Sequence, residues 1–163
     1  MDIGFETILK VFVPFVVMMP FVEMPWGVPF ALIIAKLELL PAAVLLLGGH
    51  FTLILILSHV LYKHGLDFAE KHILAKKIIS RAQKINLERF KGIPELGVIA
   101  IMAFPLPVTG AWFAIPAAFM LNIKKRRAIA VAMLGSVMAM TQGLLIWTGI
   151  YKIILPWLTQ KIL

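Results

Sequence analysis

The chain has 163 residues, 61% of them hydrophobic and 15% charged. Soluble domains sit near about 45–50% apolar and about 25% charged, so a bilayer is the natural solvent for this chain. The net charge of +8 would suggest nucleic acid in a soluble protein. Here the bases lie between apolar segments, which points to topology and anionic lipid headgroups and to no nucleic-acid partner. With no cysteine, disulfides, iron–sulfur clusters and thiol catalysis are excluded.

In chain order, the first apolar stretch is Val11–Ala35, interrupted by Pro14, Pro20, Glu23, Pro25, Gly27 and Pro29. Proline removes a backbone donor and clashes with the preceding turn, so the cluster predicts two half-helices joined by an irregular link. Pro41–Tyr62 follows without a charge and is long enough to cross a bilayer, which needs about 20 helical residues. Lys63–Gly92 is a basic connector with a rough apolar stripe, and it reads as a helix lying on the headgroups or as a solvated link. Leu96–Ile123 is apolar but broken by Pro105, Pro107, Gly110 and Pro116. LysLysArgArg at 124–127 precedes a second uncharged span, Ala128–Tyr151, and residues 152–163 form a short interfacial tail. Continuous apolar runs of this kind exclude a β-barrel, whose strands alternate. No leader with a basic start and a small-residue cleavage site is expected at the N-terminus.

Charge decides how the second broken stretch runs. The connector and the 124–127 cluster hold twelve of the sixteen Lys and Arg residues, and the positive-inside rule places both in the cytoplasm. A single kinked span between them would put them on opposite sides. Leu96–Pro107 and Ala111–Ile123 are each only about 18–20 Å long as helices, too short for two spans. A re-entrant hairpin that enters and leaves on one side satisfies both constraints.

Shifting the sequence by 86 residues places Val22 on Val108, Trp26 on Trp112, Ala31 on Ala117, Ala42 on Ala128 and Gly49 on Gly135. Each half runs in the same order: short apolar segment, proline break, tryptophan, short apolar segment, polar turn, long span. Only one crossing separates the two broken stretches, so the second copy enters from the opposite face. The expected fold is a single all-α integral membrane domain with two inverted-topology repeats, about 5–62 and about 93–151. Each is a re-entrant hairpin followed by a transmembrane helix, with 63–92 an amphipathic cytoplasmic connector. Paired interruptions of this kind mark binding sites in secondary transporters.

PFVEMPWGVPFAL (Pro20–Leu32) and FPLPVTGAW (Phe104–Trp112) resemble the signatures of the small multidrug export membrane protein family. That family resembles in turn the DedA/VTT group, whose members share paired re-entrant hairpins. The resemblance covers nearly the whole chain in order. Two departures stand out: Pro25 where a basic residue is usual two places after the glutamate, and Val108 where a glycine is usual before Thr-Gly. The resemblance implies a transporter, expected to be multi-pass in the cell membrane, and the expected substrate is a small lipophilic or lipid-phosphate molecule. DedA-like relatives imply an alternative, a flippase for an anionic polyprenyl-phosphate or phospholipid carrier. A non-transporting scaffold is a further alternative.

Glu23 is the only acid in Val11–Ala35, and a carboxylate at such a break is costly and usually functional. It would carry the coupling H+ or Na+, or else cap a half-helix. His50, after Gly48-Gly49, is a candidate relay partner or an interhelical hydrogen-bonding residue. Thr109-Gly110 offers a hydroxyl and backbone N–H groups, and the resemblance adds Pro107 of the same motif. Trp26 and Trp112 would flank a lipophilic substrate or pack the core. Gln142, mid-span, needs a partner and would face the site. Gly49 and Gly135 read as points of close helix approach, and Glu95 as a cap or ion-pair partner. Lys124, Lys125, Arg126 and Arg127 anchor topology and could hold a phosphate headgroup. HExxH, GxSxG and Walker patterns are absent, so no enzyme, metal site or cofactor is expected. A chain this small suggests a homodimer.

Overall fold

The computed structural model describes residues 4–20, 22, 24–70, 92–103 and 110–150. Every regular element among them is helical. Helix α1 is Phe5–Val16, and α2 is Met24–Pro29, continued by a π turn at Phe30–Ile34. Helix α3 is Leu39–Glu70, broken at Gly65, where φ is 69° and ψ −172°. Then come α4, Pro94–Ala103; α5, Ala111–Met120; and α6, Lys125–Gly149. The expected connector, apart from its first residues, and the expected tail lie outside the described residues.

Among the described residues, two helices are long and apolar enough to cross a membrane: Leu39–Gly65, 27 residues, and Lys125–Gly149, 25 residues. At 1.5 Å per residue these reach roughly 40 and 37 Å, more than the hydrocarbon core of a bilayer. The other four helices have 10–12 residues each, counting α2 with its π turn, and reach about 15–18 Å. The proline rule needs one refinement. Pro14, Pro29 and Pro116 lie inside helices rather than at breaks. Pro25 and Pro94 occupy first turns, where the missing N–H costs nothing. The first break falls at residues 17–23, between α1 and α2.

The 86-residue repeat appears in the backbone. The two half-helices that precede the long spans end at Ile34 and Met120, and the spans begin at Leu39 and Lys125. Between them sit the two non-glycine residues of positive φ among those described, Lys36 at 50° and Asn122 at 55°. Each stops a helix by a single left-handed residue. All three pairs are spaced 86 apart. Burial repeats too. Helix α6 buries Ala128, Ala132, Gly135, Ser136, Ala139, Met140 and Gly143, and all but the last lie 86 residues after a buried residue of α3.

Each copy leans on both long helices. Helix α1 packs on α3 and α4 on α6, within their own copies. Helix α2 packs mainly on α6, and α5 packs on α3 as extensively as on its neighbour α4, so both reach across the copies. The spans run antiparallel. Tyr62, late in α3, donates its hydroxyl to the Ile123 carbonyl just before α6, at 2.6 Å. At the other end, Ala42 and Leu46 share an apolar cluster with Ala139 and Met140.

An ion pair joins the two ends of each broken stretch. Lys36 Nζ lies 2.8 Å from Glu6 Oε1, and Arg127 Nη1 lies 3.7 Å from Glu95 Oε1. The hydrogen bond from Lys36 lowers the Glu6 carboxyl from its ordinary value, and Glu6 raises Lys36 in return. The depressed group sets the sign: this contribution is present at neutral pH and fades as acid protonates Glu6. Both groups are exposed, so the effect is small.

Candidate functional site

The two copies meet around the first break. Pro29 has no N–H, so the carbonyl of Pro25 loses its partner one helical turn earlier. Trp147, near the end of α6, supplies one: its Nε1 donates to Pro25 O at 2.9 Å. Gly143, one turn before, lets α2 approach closely, since a Cβ there would stand 2.8 Å from Pro25 Cα. Trp26 and Trp147 meet edge to face, with centroids 5.9 Å apart at 66°. On the other side of the break, Met18 O accepts the Trp112 indole N–H at 3.0 Å. Two tryptophans from the second copy therefore satisfy two carbonyls of the first. Trp147→Phe should keep the ring contact but orphan the Pro25 carbonyl, lowering thermal stability in detergent by about 1–2 kcal/mol.

Gly110 forms the matching element of the second copy. It takes φ 74° and ψ −169°, a region where a side chain is strained, and it starts α5. Its N–H donates to Ile101 O at 3.1 Å, tying the start of α5 back to α4.

His50 and Ser58 are buried in the stripe of α3 that faces the bundle, at 3% and 0% exposure. Neither His50 Nδ1 nor Ser58 Oγ has a hydrogen-bond partner among the described residues. Ser136, at the repeat position of His50, is satisfied within its own helix by Ala132 O at 3.0 Å. Gln142 is half-buried beside Gly143. Among the described residues, no group of three acids and histidines could hold a metal ion.

Glu23, Pro107 and Thr109 lie outside the described residues. Of the remaining candidates, Trp26, Gly110, Trp112, His50 and Gln142 are placed as above. Trp26 pairs with Trp147 and Trp112 with the Met18 carbonyl, so the two matched tryptophans serve different contacts. Gly49 and Gly135 are close-approach points. A Cβ on Gly49 would fall 2.7 Å from Pro14 Cα, and one on Gly135 would overlap the Met102 side chain. In the basic cluster, among the described residues, Arg127 alone has an ion pair, with Glu95; Lys124 and Arg126 are exposed. Sequence reasoning missed Trp147 and Ser58. The missing Pro29 N–H signalled a donor for Pro25, and Ser58 falls on the same helical stripe as Ile54 and Leu61.

Two bilayer-length helices, each with a broken apolar stretch ahead of it, define a helical membrane protein. The chain belongs to the family described as "Putative small multi-drug export protein", whose profile matches residues 23–141. That range takes in α2, α3, α4, α5 and most of α6. No curated protein and no solved structure matches the chain.

Proposed function

We propose that the protein is an ion-coupled secondary transporter of the cell membrane, with its site between two re-entrant hairpins of inverted topology. The observation that carries this reading is the closure of both broken stretches. Glu6 lies against Lys36 and Glu95 against Arg127, so the entry and exit of each stretch stand side by side, although each half-helix spans only about half a bilayer. A segment that starts and ends at one level enters and leaves on one face. The long helix α3 is then the one crossing between hairpins, which inverts the second copy. Broken helices at such depth are tolerated where they line a cavity or are buried in protein, and in transporters they bind substrate and coupling ion. The family's description supports export of small molecules.

Glu23 carries the coupling ion, with His50 as its buried relay partner. Trp26, Trp112, Pro107, Thr109, Gly110 and Gln142 shape the pocket. Lone Glu23 favours a lipophilic cation as substrate, whereas exposed Lys124 and Arg126 favour a lipid phosphate. Uptake into proteoliposomes under a pH or sodium gradient, assayed separately with a lipophilic cation and with polyprenyl phosphate, tests the reading. It fails if neither moves.

Topology has its own measurement, made simple by a chain without cysteine. Single cysteines at Gly65 and Lys125 should label from one side of the membrane, and one at Lys36 from the other. Labelling of positions 36 and 125 from the same side would overturn the inverted repeat.

A further inference from the structure

Away from the central break, an open crevice of about 500 Å³ lies between α3 and α6. Its walls are Leu55, Ile56, His59, Val60, Lys125 and Ile129. The antiparallel run of the two helices sorts these residues by depth. His59, Val60 and Lys125 lie toward the end where Tyr62 meets Ile123; Leu55, Ile56 and Ile129 lie one turn further in. The crevice is therefore basic at its mouth and apolar inside. We propose that it holds a resident anionic phospholipid, with one acyl chain between the helices and its phosphate against Lys125. This rests on the membrane reading and is independent of what the protein transports.

The charge pattern selects that occupant. Among the described residues, no carboxylate lines the crevice. Lys125 is half-buried with no ion-pair partner among the described residues, while Arg127, two residues on, is engaged by Glu95. Lys124 and Arg126, the neighbours of Lys125 in the chain, are exposed and likewise without an ion pair among the described residues. A lipophilic cation would meet repulsion here. A sugar or nucleotide would leave its polar groups unpaired against Leu55, Ile56 and Ile129. The volume falls within the range of about 300–1,000 Å³ usual for ligand sites. The basic cluster also places the mouth at the cytoplasmic leaflet, the one rich in anionic lipid.

Delipidated full-length protein in detergent is offered phosphatidylglycerol or phosphatidylcholine with identical chains, and retained lipid is counted by native mass spectrometry. Phosphatidylglycerol should be retained about fivefold over phosphatidylcholine, the weight of one basic residue at an anionic headgroup. Lys125→Gln should abolish that preference and Lys125→Arg should keep it. Leu55→Trp, which fills the crevice, should lower retention of both lipids. Equal retention of the two lipids by the wild type, or an undiminished preference in Lys125→Gln, overturns the proposal. Should Lys125→Gln not fold, the wild-type comparison and Leu55→Trp still decide it: unchanged retention in Leu55→Trp means that the chain lies elsewhere. If the protein does not insert into liposomes at all, the membrane reading has failed instead.

Discussion

Glu23→Gln should reduce gradient-driven uptake in proteoliposomes by at least about tenfold while leaving the protein folded and inserted. Glutamine preserves the size and much of the hydrogen bonding of glutamate but cannot bind or release a proton. A carboxyl that merely caps a half-helix would tolerate the change with a modest loss of stability and normal transport. The two roles therefore separate in one assay. Residual uptake in the variant should also lose its dependence on the pH gradient. Full, pH-responsive uptake would remove Glu23 from the coupling role. The variant should fold, because the indole bonds across the break go to the backbone carbonyls of Met18 and Pro25, which the substitution leaves in place.

Gly49→Ala should destabilise the protein while Gly48→Ala, one residue earlier, should not. The asymmetry comes from what each Cβ would meet. At Gly49 it would overlap the carbonyl oxygen of Pro14 and stand 2.7 Å from the Pro14 Cα. These are backbone atoms of a neighbouring helix, so no rotamer change relieves the clash and α1 must shift off α3. Overpacking of this kind costs about 1–3 kcal/mol, and a backbone obstacle places it at the upper end. In a chain of this size that lowers the melting temperature by several degrees. At Gly48 nothing stands within 4 Å, and the residue is exposed. Alanine there should gain up to about 1 kcal/mol of helix propensity. Thermal unfolding in detergent reads both, and equal effects would show that α1 does not rest on Gly49.

The two long spans were legible because their apolar runs are continuous and uncharged; the structure moves their starts to Leu39 and Lys125 and their ends to Gly65 and Gly149. The repeat was legible as a spacing, and the paired left-handed residues Lys36 and Asn122 give it a backbone counterpart. Those two positions could not be read directly, since neither is glycine and a lysine carries no turn signal. The prolines misdirected in part. Pro14 and Pro116 are absorbed within helices, so counting prolines places too many breaks. At the site, Gly49 and Gly135 followed from small residues at matched positions. Trp147 did not, because its role depends on a carbonyl freed by Pro29, 118 residues earlier in the chain. His50 was visible as a lone polar residue amid a span, whereas Ser58 was hidden, since serines are common in helices and usually bond their own backbone, as Ser136 does.

The crossed packing of α2 on α6 and α5 on α3 bears on how the protein can be cut and assembled. Neither repeat encloses a core of its own. The cluster around Val13 and Met24 is completed by Ala139 and Met140, and the cluster around Val98 and Phe113 by Leu53 and Ile54. The two halves of the chain are thus interlocked parts of one folding unit rather than two domains on a string. A chain severed in the connector would yield fragments that must find each other to fold, in the manner of an exchanged-arm dimer.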